Sequence, residues 1–213
     1  MAAEGTPPFA SCSANVGSLI AQGDLIVHNG TSPGAAIISA RSDLTSYGGK
    51  AISIPPAATT TLTVTTPLIS SASTTDGGIE VKSGSATVNV NADTIVDTVA
   101  AGVFVSTGVL NVRSNTITGS TFGADGTGGE LHLYGTPMLK ATTTGGVALR
   151  LGGQATTIHG TAALVSDLAA TDAVTAAAPQ NLKVYGFLAA NKARNVNVTV
   201  LTGGSTFSDT NVT

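Results

Sequence analysis

Residues Gly77 to Gly119 read GGIEVKSGSATVNVNADTIVDTVAAGVFVSTGVLNVRSNTITG, two passes through nearly one phrase. Each pass is a glycine, an alternating apolar/polar run, a short Gly or Ser turn, a second alternating run, and then Asn or Asp followed by Thr-Ile. Alternation with period two sends successive side chains to opposite faces, which is the signature of a strand. A phrase that recurs every 20 to 30 residues or so signals stacked coils. The runs begin at Ile79 and Val103, 24 residues apart, about one coil of a β-solenoid. In such a coil, Val, Ile and Leu at alternate positions point inward and stack on their equivalents one coil away, while Thr and Ser lie outward. The inward set predicted this way is Val88, Val90, Val103, Val105, Leu110, Val112, Leu131, Leu133, Leu149 and Leu151.

Further passes follow: GGELHLYGTPMLKATTT from Gly128, GGVALRLGGQATTIHGTAALV from Gly145 and NLKVYGFLAANKARNVNVTVLTGGSTF from Asn181. Their runs start at Leu131, Val147 and Leu182, an uneven spacing that predicts loops of different length interrupting a common rung. Residues 77–213 are therefore expected as rungs, with an insertion at 161–178. That insertion, TAALVSDLAATDAVTAAA, is Ala-rich and reads either as the one helix, capped by Ser166 or Asp167 and ended by Pro179, or as an extended loop. Upstream, residues 31–76 hold short β segments divided by the turn signals Pro33-Gly34, Gly48-Gly49 and Pro55-Pro56, and are expected to form an irregular β cap or first rungs. Residues 1–30 are expected as an extended N-terminal arm, because Pro7-Pro8 forbids helix there.

The composition is unusual for a globular chain. Among 213 residues there are 33 Thr and 26 Gly, no Trp, and only 4% aromatics, so the core must rest on small aliphatic side chains. Charged residues make up 10%, against about 25% in an ordinary soluble domain. So few charges, with a mean hydropathy of +0.31, defend a lone monomer poorly against association and predict a surface covered by copies of itself or by a larger assembly. The net charge of −3 and the nine scattered basic residues leave no stripe to neutralise phosphates, so no nucleic-acid partner is expected. Cys12 stands alone, which excludes an intrachain disulfide. No apolar stretch approaches the length of a membrane span, so no membrane partner is expected. The first residues lack a basic segment and carry Glu4, unlike a signal peptide, so synthesis in the cytoplasm is expected.

Catalytic chemistry finds little purchase. Hydrolysis of a polysaccharide normally takes two carboxylates held across a groove. The twelve acids are dispersed, none adjacent to another; Asp93 and Asp97 flank Thr94-Ile95-Val96 at a corner and read as turn residues. His28, His132 and His159 share no metal-ligand spacing. No nucleophile elbow, phosphate loop or dinucleotide fingerprint is present. No catalytic residue, cofactor or metal is therefore expected.

The phrase AAGVFVSTGVLNVRSNTITGS, Ala100 to Ser120, resembles rungs of right-handed parallel β-helix proteins of the pectate-lyase-like class. The likeness extends over about residues 77–207 and implies an all-β, short right-handed parallel β-helix. The low-aromatic, Thr/Gly/Ala-rich composition also resembles structural proteins of tailed bacteriophages, including trimeric tailspikes and capsid decoration proteins. That resemblance implies a non-enzymatic virion protein, made in the host cytoplasm, assembled as a homotrimer and bound to a major capsid protein or another virion protein. A decoration (cement) protein is the expectation, with the arm gripping the shell through Pro7, Pro8, Phe9, Val16, Leu19 and Ile20. The alternatives are a tail-fibre or tailspike fragment that binds the host surface, and a small carbohydrate-active β-helix enzyme, for which the Ile158-His159-Gly160 segment is the one local likeness.

Overall fold

The alternating runs become strands that pair in parallel with their equivalents one coil away. A computed structural model describes residues 11–26, 34–152, 156–159, 162–166, 174–184, 188–190 and 193–200. In chain order the strands are β1 (Ser11–Ala21), β2 (Gly34–Ser46), β3 (Ile52–Ile54), β4 (Thr60–Ser71), β5 (Gly77–Asp97) and β6 (Ala101–Arg113). Then come β7 (Thr116–Gly119), β8 (Phe122–Gly126), β9 (Glu130–Tyr134), β10 (Met138–Ala141) and β11 (Val147–Leu151). The last are β12 (Thr156–Ile158), β13 (Ala162–Ser166), β14 (Val174–Val184), β15 (Leu188–Ala190) and β16 (Ala193–Val200). The described residues contain no helix.

The path of β5 defines the coil. Its first part pairs with β3 and β6, its middle with β4 and β6, and its last residues with β4 and β7. Each coil thus presents three faces, a, b and c in chain order, and the fold is a parallel β-helix of the right-handed type. Face a carries the column Ile52–Ile79–Val103–Ala124–Leu149–Val174. Face b carries Leu62–Val88–Leu110–Leu131–Thr156 beside Val64–Val90–Val112–Leu133–Ile158. Face c carries Leu19–Leu44–Ile69–Ile95–Ile117–Leu139–Leu164. Apart from the partly buried Leu19 at one end and the buried polar Thr156, these column residues form one hydrophobic core. Burying a Val, Leu or Ile side chain stabilises by about 1.5–3 kcal/mol, so the columns supply the main driving force.

The 24-residue spacing of the repeated phrase is one coil, since Ile79 and Val103 are register partners. All ten residues predicted to point inward are buried. The repeated glycine has a packing reason as well. Gly78, Gly102 and Gly123 fall one above another on face a, by the pairing of their neighbours. A Cβ on Gly102 would lie 2.8 Å from the carbonyl oxygens of both Thr118 and Gly123, because the end of face c passes close against this column.

Three expectations are corrected. The uneven rung starts mix two faces: Val147 pairs on face a with Phe122, whereas Leu131 and Leu182 lie on face b in register with Leu110 and Thr156. Both faces carry the same alternation, so period alone does not tell them apart. Counted on face a, the starts are Ile79, Val103, Ala124, Leu149 and Val174, and the spacing is nearly even. Second, the described parts of 161–178 are strand: β13 pairs with β10, and β14 begins at Val174 in register with Leu149. Parallel pairing here overrides the helix preference of Ala. Pro179 sits where the β14 register shifts, between Thr175 and Gln180, the place in a ladder that tolerates a missing N–H.

Third, residues 11–26, expected within the arm, make the first coil. β1 pairs with β2 along most of its length, and Leu25 bridges the next coil by donating to the Lys50 carbonyl and accepting from the Ser53 amide, both at 2.9 Å. Pro7, Pro8 and Phe9 lie outside the described residues. Residues 34–71, expected as cap or first rungs, are rungs: β2 pairs with β4 and β4 with β5, with a register shift between Ser39 and Asp43.

Candidate functional site

The acids were the first test of chemistry, and most prove to be engaged at corners and between coils. Asp97 is buried at the corner between faces c and a. One carboxylate oxygen accepts from Ser71 Oγ at 2.7 Å and the Ser73 amide at 2.9 Å; the other accepts from the amides of Val99 and Ala100. Asp93, four residues earlier, is exposed, and the two do not form a working pair. Asp125 is buried under a bidentate contact from Arg150 and also accepts from Thr127 Oγ1. The Arg150 guanidinium stacks over the Phe122 ring, 4.0 Å from its centroid.

A chain of alternating charges crosses the coils on the outer side of face a. Glu80 Oε2 lies 3.0 Å from Lys50 Nζ and 3.1 Å from Lys82 Nζ, and Glu80 Oε1 accepts from Ser53 Oγ. Lys50 reaches back to Asp24, whose carboxylate accepts the Lys50 amide at 2.8 Å, and Lys82 bonds Asp76 at 2.6 Å. Burial alone would raise the Asp76 carboxyl and lower the Lys82 ammonium; their mutual contact, together with Glu80 beside both and Lys50 beyond, outweighs it and moves each the opposite way. Asp43, near the surface, is held below the usual carboxylate range by the hydroxyls of Ser18 and Thr45. These groups rivet one coil to the next.

The polar face with free reach is the outside of face b. Its outward residues also stack in columns. Asn111 Nδ2 donates to Asn89 Oδ1 at 2.9 Å, and His132 continues that column in register with Asn111. Beside it run Asn91, Arg113, Tyr134 and His159, with Arg113 and Tyr134 paired by register and the Arg113 guanidinium 6.0 Å from the Tyr134 ring. An open groove of about 290 Å³ is lined by Thr63, Asn89, Asn91, Asn111, Arg113 and Tyr134. At its far end the His159 ring stacks flat on Tyr134, with centroids 4.3 Å apart and planes 6° from parallel. His132 Nδ1 lies 3.2 Å from His159 Nε2, and His132 Nε2 lies 3.5 Å from Glu130 Oε2. Burial, and then the nearby His132, hold the His159 imidazole below its ordinary value.

Sequence spacing did not reveal this pair. His132 and His159 are 27 residues apart, a separation that means nothing until the length of one coil is known. Of the residues expected to grip a shell, Val16 is half-buried, Leu19 packs against the core and Ile20 is 56% exposed. Ile20 has company: Ile26, Ile37 and Tyr47 are exposed in the same end of the solenoid, Tyr47 at 64%. No protein-family model, curated protein or solved structure matches the chain.

Proposed function

We propose that this chain is a non-enzymatic structural protein of a virion, a trimeric capsid decoration protein whose first coils seat on the shell. The observation that carries the proposal is the clustering of exposed apolar side chains at one end. Among the described residues, Ile20, Ile26, Ile37 and Tyr47 are exposed within the first coils, on different faces of that end, and the later coils add only Val99 and Met138. Apolar side chains concentrated at one end of an otherwise polar rod favour that end as the contact surface. Among the described residues the buried acids Asp97, Asp125 and Glu80 are engaged by donors between coils, which weighs against the hydrolase alternative. Tailed-phage origin and the trimer rest on the compositional resemblance and on the scarcity of charge.

The test is binding to the native particle. The wild-type chain is expected to be trimeric by sedimentation and to co-sediment with the shell. Replacing Ile20 with Thr and Tyr47 with Ser should leave a folded β protein that no longer does so. Decoration with unchanged affinity by that variant would overturn the proposal.

A second reading has its own support. The groove on face b begins beside the apolar end, at Thr63 in register with Ile37, and runs across the coils to Arg113 and Tyr134, which lie away from that end, where a tail fibre or spike would present its receptor contact. Host-surface binding lost in Tyr134→Ala and Arg113→Ala, with particle attachment retained, would favour it.

A further inference from the structure

We infer that the His132–His159 pair on face b is a binding site for a divalent transition metal, Zn²⁺ or Cu²⁺, held by two imidazole nitrogens from adjacent coils. The spacing is the first reason. Two nitrogens bound to one tetrahedral zinc at about 2.0–2.1 Å each lie about 3.3–3.4 Å apart, and at a right angle about 2.9 Å apart. The observed separation of His132 Nδ1 and His159 Nε2 is 3.2 Å, so both lone pairs reach one ion with small adjustments of the rings.

The surroundings are the second reason. A metal-bound imidazole typically presents its remote nitrogen to a carboxylate, which fixes the tautomer and raises the basicity of the ligating nitrogen. Here the remote nitrogen of His132, Nε2, faces Glu130 Oε2 at 3.5 Å. With the proton on Nε2, toward that carboxylate, the lone pair of Nδ1 is turned toward His159. The flat stack on Tyr134 restrains the second ring. In the bound form His159 carries its proton on Nδ1 and presents Nε2 to the ion. Imidazole ligands suit Zn²⁺ and Cu²⁺ better than Ca²⁺ or Mg²⁺. Among the described residues no three His, Cys, Asp or Glu side chains converge on one point, so water completes the coordination.

The site also has a structural consequence. It bridges β9 to β12, the step at which the face-b core column passes through Thr156, whose buried hydroxyl has no partner among the described residues. A metal there staples two coils at a weak step of the core.

The experiment is calorimetric titration of the untagged full chain with Zn²⁺ and, separately, Cu²⁺ near neutral pH. One ion per chain is expected, with unfolding shifted upward as the metal concentration rises. His132→Asn, which extends the Asn89–Asn111 column, and His159→Gln should each weaken binding at least tenfold while circular dichroism stays that of the wild type. Glu130→Gln should weaken it severalfold, and His28→Gln and Cys12→Ser should leave it intact. The electron paramagnetic resonance spectrum of the Cu²⁺ form should show coupling to two imidazole nitrogens. Absence of saturable binding to the wild type would overturn the inference. So would binding unchanged in His132→Asn and His159→Gln, or binding abolished by His28→Gln or Cys12→Ser.

Discussion

Ser71 Oγ donates to the Asp97 carboxylate at 2.7 Å, tying the corner of one coil to the corner of the next. The same carboxylate accepts three backbone amides, so one buried side chain closes the turn between faces c and a and anchors it to the coil before. Hydrogen bonds to a charged acceptor contribute about 1.5–3 kcal/mol, and a buried donor left without a partner costs about 1–3 kcal/mol. Asp97→Ala should therefore lower unfolding stability by about 4 kcal/mol in a urea titration, and Ser71→Ala by about 1 kcal/mol. Equal losses from the two would show that the corner does not depend on the carboxylate.

The Lys50–Glu80 pair gives a second expectation. Glu80 is 3% exposed and Lys50 11%, so screening by water is weak. Removing one partner of a buried pair costs about 3–5 kcal/mol. Lys82 remains beside Glu80 and compensates in part, so Lys50→Met should cost about 3 kcal/mol by chemical denaturation. Lys82→Met, at a position about a third exposed, should cost less, about 1 kcal/mol. The reverse order would contradict the burial seen here.

The Thr156 hydroxyl predicts a gain. It is fully buried, has no hydrogen-bond partner among the described residues, and stands between Leu131 and Leu182 in register. Thr156→Val keeps the shape and removes the unpaired group, so it should stabilise the fold by about 1 kcal/mol. Thermal or urea unfolding would read this directly, and a loss of stability would mean that the hydroxyl finds a partner.

His159 sets a pH dependence. The folded value of His159 is depressed, chiefly by burial and then by His132, so the folded chain binds fewer protons than the unfolded chain around its ordinary value of 6.5. The stability is then fully present above that value and is lost as pH falls through it. Urea midpoints measured from about pH 7.5 down to about pH 5 should fall in the wild type and fall less in His159→Gln. Identical slopes would remove His159 as the cause.

How much of this was legible in the sequence depended on what repeats. Ile79 and Val103 occupy one column on one face, so their spacing gave the coil length directly. Leu131 and Leu182 carry the same alternation on a different face, and only the pairing partners reveal the phase. Ala162 and Ala163 favour helix in isolation, but β13 lies in register between β10 and β15. The meeting of His132 and His159 was hidden for a further reason: contacts between coils depend on counting residues through every intervening turn, and those turns differ in length. Asp97 looked like any turn residue, because its burial comes from the coil beneath it.

The in-register columns have a consequence for size. Parallel neighbours lie about 4.7–4.9 Å apart along the ladder, so the reach of this rod changes in fixed steps. Excising the 24 residues from Ile79 to Gly102 would join Gly78 to Val103, and Gly78 already stands in the column of Gly102. The cut chain would keep its outline and lose one step in height. A rod of this kind can be lengthened or shortened by whole coils without redesigning its cross-section, so the distance between whatever sits at its two ends is written in the coil count.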